Sequence, residues 1–402
     1  MGIFKTGAPF CGAPAQNGGS MTDIHNPYPI PGHRPRRTPP GAPPGTLVAD
    51  PAAARPAIAL IAYGPDAIVE EQDVAIADID GLRETHPVLW LDVSGLGDVK
   101  TMQDLGTKFG LHNLALEDVL NVHQRPKIEE YDNHLFIVCR MPHSDSALET
   151  EQVSFFLGKD FVITLQERPG DCFEPVRSRL RNKRGRIRAA GNDYLIYALL
   201  DAVTDAFFPV LESIGEQIGA VEEEIMADPM PDDVHRIHAL KRDLLTVRRA
   251  VWPQREMLSA MIRDENSLIQ EQTKLYLRDC FDHTFQLIDL IETYREIVSD
   301  LTDIFLSAQN TRMNEVMKVL TVIATIFMPL TLISSIYGMN FDPDASPWNM
   351  PELRSAFGYP ATVAVMVAIA AGMLAWFRKR GWVGRRRRRK KRFRTKLQRR
   401  SP

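Results

Sequence analysis

The feature that most constrains this chain is a gap in its helix breakers. No glycine occurs between Gly219 and Gly338, and no proline between Pro253 and Pro329. Glycine and proline are the two residues that cost a helix interior most. Within the gap Leu277, Phe281, Phe285, Ile288, Ile291, Val298, Leu301 and Phe305 recur at threes and fours, the spacing of one helix face. The pattern predicts one helix from about Glu271 into the apolar segment beyond. At 1.5 Å per residue, some 65 residues reach on the order of 100 Å. A stripe of that length needs partner helices, which predicts a stalk in an oligomer. Two helices joined by a turn without Gly or Pro are the other reading of the same pattern.

The apolar segment is Val319–Phe341, 23 residues without a charge, and Ser355–Phe377 is a second such stretch of 23. About 20 apolar residues as helix cross a bilayer core of roughly 30 Å. Two membrane spans are therefore expected, at 319–341 and 355–377. Their connecting loop, 342–354, holds one basic residue, Arg354, against Asp342, Asp344 and Glu352. From Arg378 to the end there are 15 Lys/Arg and no acid, which leaves 33 basic against 51 acidic residues in the rest of the chain. Basic residues mark the cytoplasmic side, so the tail 378–402 and the N-terminal body are placed in the cytoplasm and the acidic loop outside. The tail reads as a topology signal and anchor to lipid headgroups. Its tether to the membrane, and Phe393 as the single aromatic within the basic run 385–400, speak against nucleic acid.

Upstream the chain divides by composition. Residues 1–56 are rich in Pro, Gly and Ala, without apolar periodicity, and read as a disordered extension. Residues 57–190 alternate strand-like runs (AIALIAY, VLWLDV, HLFIVCRM, VSFFLG, DFVITL) with a helical one, VKTMQDLGTKFGLHNLALEDVLN, which argues for an α/β or α+β domain. Residues 191–318 read as helical throughout. Four widely spaced cysteines with no CxxC pair exclude a disulfide framework or a cysteine zinc site. No Walker loop, HExxH or GxSxG is present, so the chain is not read as an enzyme. His235 and His238 share a helix face but are too few for a closed zinc site.

Along the first span Met317, Leu320, Ala324, Met328, Thr331 and Ser335 fall at spacings of 3 and 4, on one face. Several copies around an axis could line a pore with that face. Ordinary helix packing fits the spacing equally well. The span closes on Tyr337-Gly338-Met339-Asn340, which alone is weak evidence.

Together with NEVMKVLT at 314–321, IATIFMPL at 323–330, Met350-Pro351-Glu352-Leu353, LEDVLNVHQRPK at 116–127, Asp193-Tyr194-Leu195, Trp252-Pro253 and RDCFDHT at 278–284, however, that ending resembles the CorA family of magnesium transporters over residues 60–383. The resemblance implies a funnel-shaped homopentamer, in which the first span lines the pore and the second spans form an outer ring. It implies influx of Mg²⁺, with Co²⁺ and Ni²⁺ as further candidate ions, across a bacterial-type inner membrane. Tyr337, Gly338, Met339 and Asn340 would form the selectivity filter. Five Asn340 amides offer neutral oxygens to the water shell of a hard, slowly dehydrating ion. Thr331 matches a second polar ring, and Leu320 and Met328 a hydrophobic gate.

The resemblance also implies regulatory Mg²⁺ in the cytoplasm. Asp118 and Asp279 match a carboxylate pair that binds Mg²⁺ between neighbouring subunits, and Glu117 and Asp201 an adjoining site. Asp303 is a weaker candidate for a ring at the inner mouth. Ser335 stands where close relatives are expected to carry glycine, and 342–349 resembles a loop insertion. A zinc-moving member of the superfamily and a membrane-anchored sensor or scaffold are the competing readings. Gly338-Met339-Asn340 argues against the first, and the pore stripe against the second.

Overall fold

The computed structural model describes residues 38, 41–144, 148–342, 344, 346 and 348–383. Most of the N-terminal extension (1–37, 39 and 40), most of the basic tail (384–402) and Pro343, Ala345 and Pro347 of the outer loop lie outside the described residues. The chain divides into two compact units, one of residues 1–217 and 239–296, the other of 218–238 and 297–402.

The first unit is built on a seven-stranded sheet of order β2-β1-β3-β7-β6-β5-β4. The strands are β1 (Ala57–Tyr63), β2 (Ile68–Glu71), β3 (Val88–Ser94), β4 (Lys127–Glu130), β5 (His134–Ser144), β6 (Leu148–Gly158) and β7 (Phe161–Gln166). All neighbours are antiparallel except β3 and β7, which run parallel with Leu89 opposite Phe161. Both sheet faces are covered, so central strands read as nearly continuous apolar runs. One face packs on α1 (Ile79–Thr85), α2 (Val99–Phe109) and α3 (Asn113–Leu120) through Ile79, Met102, Leu105, Phe109, Leu116 and Val119. The other packs on α4 (Glu174–Arg181), α5 (Asn192–Asp205) and parts of α7 (Pro231–Arg263) and α8 (Glu271–Tyr337).

Local chemistry sets these helix ends. Asp98 caps α2 by accepting from the amides of Lys100 and Thr101, and Gly110 ends it in the left-handed region at φ 65°. Trp90 is fully buried on the second face, donates Nε1–H to Thr164 Oγ1 at 3.1 Å and meets Phe173 edge-on at 6.1 Å. The Arg177 guanidinium lies 5.3 Å from the Trp90 ring and pairs with Asp92 and Asp171. Burial, reinforced by the charge of Asp171, raises the Asp92 carboxyl above its usual range.

Residues 41–56, expected to belong to the disordered extension, carry defined contacts here. The Gly45 amide donates to Glu117 Oε2 on α3 at 2.7 Å, and Gly97 N donates to Ala54 O at 2.8 Å.

Helix α8 is continuous for 67 residues, with Pro329 as its one internal proline. Of the two readings of the glycine-free stretch, the single helix is the one observed. In the second unit Ile218, Val221 and Ile225 of α6 (Phe207–Ala227), Ile237 of α7, and Val298, Leu301 and Phe305 of α8 are buried. Beyond these, α8 and α9 (Gly358–Lys379) expose their apolar residues. Among the described residues, three helical runs are long and apolar enough to cross a membrane: Asn192–Ala227, Glu271–Tyr337 and Gly358–Lys379. The first buries 61% of its most apolar stretch in protein, against 6% for each of the others.

Candidate functional site: carboxylates on the first unit and the end of α8

Helices α5 and α8 bring together Asp201, Asp205 and His283, whose ligating atoms all lie within 4.8 Å of one another. The pair on α5 are four residues apart, hence on one helix face. His283 Nδ1 is 3.3 Å from Asp205 Oδ1 and 3.9 Å from Asp201 Oδ1. Asp201 Oδ1 and His283 Nδ1 are both buried, and neither has a hydrogen-bond partner among the described residues. Burial, with the neighbouring charge of Asp205, pushes the Asp201 carboxyl up to about 6, and His283 and Asp279 act on it in opposite directions. Two carboxylates and an imidazole with orphaned ligand atoms suit a divalent cation.

The family resemblance implies a pairing of Glu117 with Asp201, and of Asp118 with Asp279. Within one chain, no group of three metal-ligating side chains among the described residues includes Glu117, Asp118 or Asp279. Asp118 instead accepts from Gln124 Nε2 at 2.7 Å and Lys127 Nζ at 2.5 Å. Lys127 is shared with Glu129 Oε1 at 2.6 Å. Glu117 is 5% exposed and accepts from Thr38 Oγ1 at 3.3 Å as well as from Gly45. Asp279 is exposed on α8, one turn before His283. Asp205 and His283 escaped the sequence reading. The signal available for them was the i, i+4 spacing of Asp201 with Asp205 and of Asp279 with His283.

At the far end of α8 the chain leaves the helix at the expected motif. Tyr337 is the last helical residue, and Gly338 closes the final turn by donating its amide to Ser334 O at 3.0 Å. A Cβ at Gly338 would meet that same carbonyl at 3.3 Å, so glycine suits the tight closure. Met339 and Asn340 follow, exposed. Tyr337 OH donates to Glu352 Oε1 at 3.5 Å, and the Asn349 amide to Asp342 O at 2.8 Å, which ties the outer loop together. Met317, Leu320, Ala324, Met328, Thr331 and Ser335 are all exposed, as is Asp303. Their neighbours are exposed too, so exposure within one chain does not single out the stripe.

The family model described as CorA-like Mg²⁺ transporter protein matches residues 86–379. The chain belongs to this family. It is 45% identical over 347 residues to the cobalt/magnesium transport protein CorA of Thermotoga maritima, covering 85% of this chain and 97% of that one. A putative metal ion transporter of Bacillus subtilis is 36% identical over 295 residues, 73% of this chain and 89% of that protein. Among solved structures, the CorA magnesium transporter of Methanocaldococcus jannaschii superposes with a TM-score of 0.67 at 22% identity, over 81% of this chain and 98% of that one. At that identity the superposition establishes the fold.

Proposed function

We propose that this chain is a Mg²⁺ transporter that lets the ion, and Co²⁺ with it, enter the cell down the membrane potential. Two spans cross the cell membrane, the C-terminal part of α8 and α9, with both termini in the cytoplasm. The chain assembles as a homopentamer around the stripe from Met317 to Ser335. The observation that carries this reading is α8 itself. One helix of 67 residues runs out of a soluble unit, through an apolar stretch that stays 6% buried, and ends on Tyr337-Gly338-Met339-Asn340.

The physical steps follow from the residues. Acidic side chains on the outer loop, Asp342, Asp344 and Glu352, raise the local concentration of cations. Asn340 then presents an uncharged carbonyl oxygen to the waters of a hydrated ion, so that selection does not require the shell to be stripped. Thr331 offers a hydroxyl further in. Leu320 and Met328 are bulky and apolar, and rings of such residues close a pore by dewetting. Entry needs no ATP, since 100 mV contributes about 2.3 kcal/mol per charge and hence about 4.6 for a divalent ion.

Regulation is assigned to the cytoplasmic carboxylates. Asp118 and Asp279 face each other across a subunit boundary, with Glu117 and Asp201 adjoining and Asp205 and His283 completing the Asp201 site. Metal bound there offsets the mutual repulsion of the carboxylates and holds the closed assembly, a shift of population by the transported ion. Asp118 must exchange Lys127 for metal to take part.

The test is flux into liposomes reconstituted with the purified protein. Mg²⁺ uptake under an inside-negative potential is expected, and Asn340→Ala should abolish it. Uptake at the wild-type rate in that variant would rule out the amide ring.

A further inference from the structure

We propose that Thr38 and Gly45 form a built-in competitor for Glu117, holding its carboxylate when metal does not. This rests on the reading of Glu117 as a regulatory ligand, and gives the N-terminal segment a role within that regulation.

The contacts are specific. The Gly45 amide donates to Glu117 Oε2 at 2.7 Å, and the Thr38 hydroxyl donates to Oε1 at 3.3 Å, so both oxygens receive a proton from the segment. The Asn121 side-chain amide, one turn further along α3, donates to Thr38 Oγ1 at 3.1 Å and fixes that hydroxyl. Thr38, Glu117 and Asn121 are 8, 5 and 7% exposed, so the hydrogen bonds are screened little by water. The backbone is shaped for this approach. Gly45 has φ +80°, in the left-handed region, and a Cβ there would lie 3.1 Å from Asn113 Cβ. Only glycine brings the chain this close to the start of α3 in that conformation. Beside the contact lies a cleft of about 940 Å³, with Thr38, Gly41 and Pro44 on one wall and Glu117, Asp118 and Tyr131 among its other lining residues. A cation entering the cleft therefore meets Asp118 together with a Glu117 that already accepts a hydrogen bond at each oxygen.

Competition follows from chemistry. A hydrated Mg²⁺ approaches a carboxylate by presenting the protons of its bound water, or by displacing that water to bond the oxygen directly. Both routes draw on the negative charge of the carboxylate, and the segment's N–H and O–H donors stabilise that charge and fill one of the roughly two acceptor positions on each oxygen, so metal must bind against them. With the segment docked, more Mg²⁺ is needed to close the assembly. With it released, the sensor responds at lower concentration.

The experiment uses the full-length protein in detergent and reads the Mg²⁺ concentration that gives half-maximal protection from protease. Removing residues 1–45 takes away both of these donors and should lower that midpoint by at least about tenfold, the factor that one such hydrogen bond supplies. Thr38→Val should lower it by about threefold, since it removes only the longer of the two donors. In a Glu117→Gln background the truncation should shift nothing. A midpoint that stays put or rises in Thr38→Val and in the truncated chain overturns the proposal, as does a full shift that persists in Glu117→Gln. A truncated chain that fails to fold leaves Thr38→Val to decide. Loss of Mg²⁺-dependent protection is expected for Asp279→Lys. Protection that survives there overturns the sensor reading itself and the competitor with it, a signature distinct from a wild-type sensor with an immovable midpoint.

Discussion

The helical run Asn192–Ala227, which includes α5, and helix α9 are both long and apolar enough to cross a bilayer, and the contrast between them separates hydropathy from destination. The run that includes α5 spends its apolar surface inside the first unit: Leu195, Leu199, Leu200 and Val203 are buried against the sheet. In α9, Val363, Val365, Val367, Leu374 and Trp376 remain exposed. A soluble surface does not carry a contiguous apolar patch of that extent, which marks a site for lipid or protein. Charge placement agrees, because α9 ends in Arg378 and Lys379 while α5 has no basic residue in its last turn. Helix length and hydropathy give three candidates for spanning helices among the described residues. What packs against each run sorts them.

The contrast can be broken in steps of decreasing size. The largest effect expected is the loss of uptake in Asn340→Ala, with the thermal unfolding of the first unit unchanged. Function then resides at the end of α8 and stability in the sheet. Trp90→Ala should do the converse, lowering the unfolding free energy by about 3–5 kcal/mol, because a large buried ring leaves a cavity. Chemical denaturation followed by circular dichroism measures it. Val365→Arg should cost membrane insertion about 2.5–3.5 kcal/mol if α9 lies in lipid. It is read as protein lost from the alkali-resistant membrane fraction, whereas Leu199→Arg should unfold the first unit and leave insertion intact.

The smallest effect concerns Glu151, whose two carboxylate oxygens are buried without a hydrogen-bond partner among the described residues. Burial first, and then the charge of Glu167, push its carboxyl up to about 8, with Asp171 adding to the rise and Arg168 and Arg140 opposing it. The folded state thus holds a proton that the unfolded state releases at its ordinary value. The associated stability is complete at acid pH below that ordinary value and is lost as pH rises through about 8. Glu151→Gln should flatten the fall in melting temperature between pH 5 and pH 8.5, a window set by that linkage. An identical pH profile in the variant would leave Glu151 without a role in it.

Much of the fold was legible because its signals are local. The absence of Gly and Pro predicts α8, and the apolar runs predict β1, β3, β5, β6 and β7. The edge strands β2 and β4 read IVEE and KIEE, with two and three charged residues among four, and carry too little apolar periodicity to be seen. The parallel pairing of β3 with β7 was illegible for another reason: it joins Leu89 to Phe161 across a large part of the domain. The site divides in the same way. The Tyr337–Asn340 motif is contiguous and stands out in the sequence. The meeting of Asp201 and Asp205 with His283 depends on how two helices pack, and the hold of Thr38 and Gly45 on Glu117 arises in a segment whose composition suggests no structure.

One consequence of α8 remains, and it is mechanical. In the transporter proposed above, a helix without interruption from Glu271 to Tyr337 would act as a shaft, with its own backbone hydrogen bonds resisting twist along its length. Pro329 has no amide to give to the carbonyl of Thr325, so the shaft has one soft joint, placed between Met328 and Thr331. The stiff length would carry torque, and the joint would decide how much of it reaches the outermost turns.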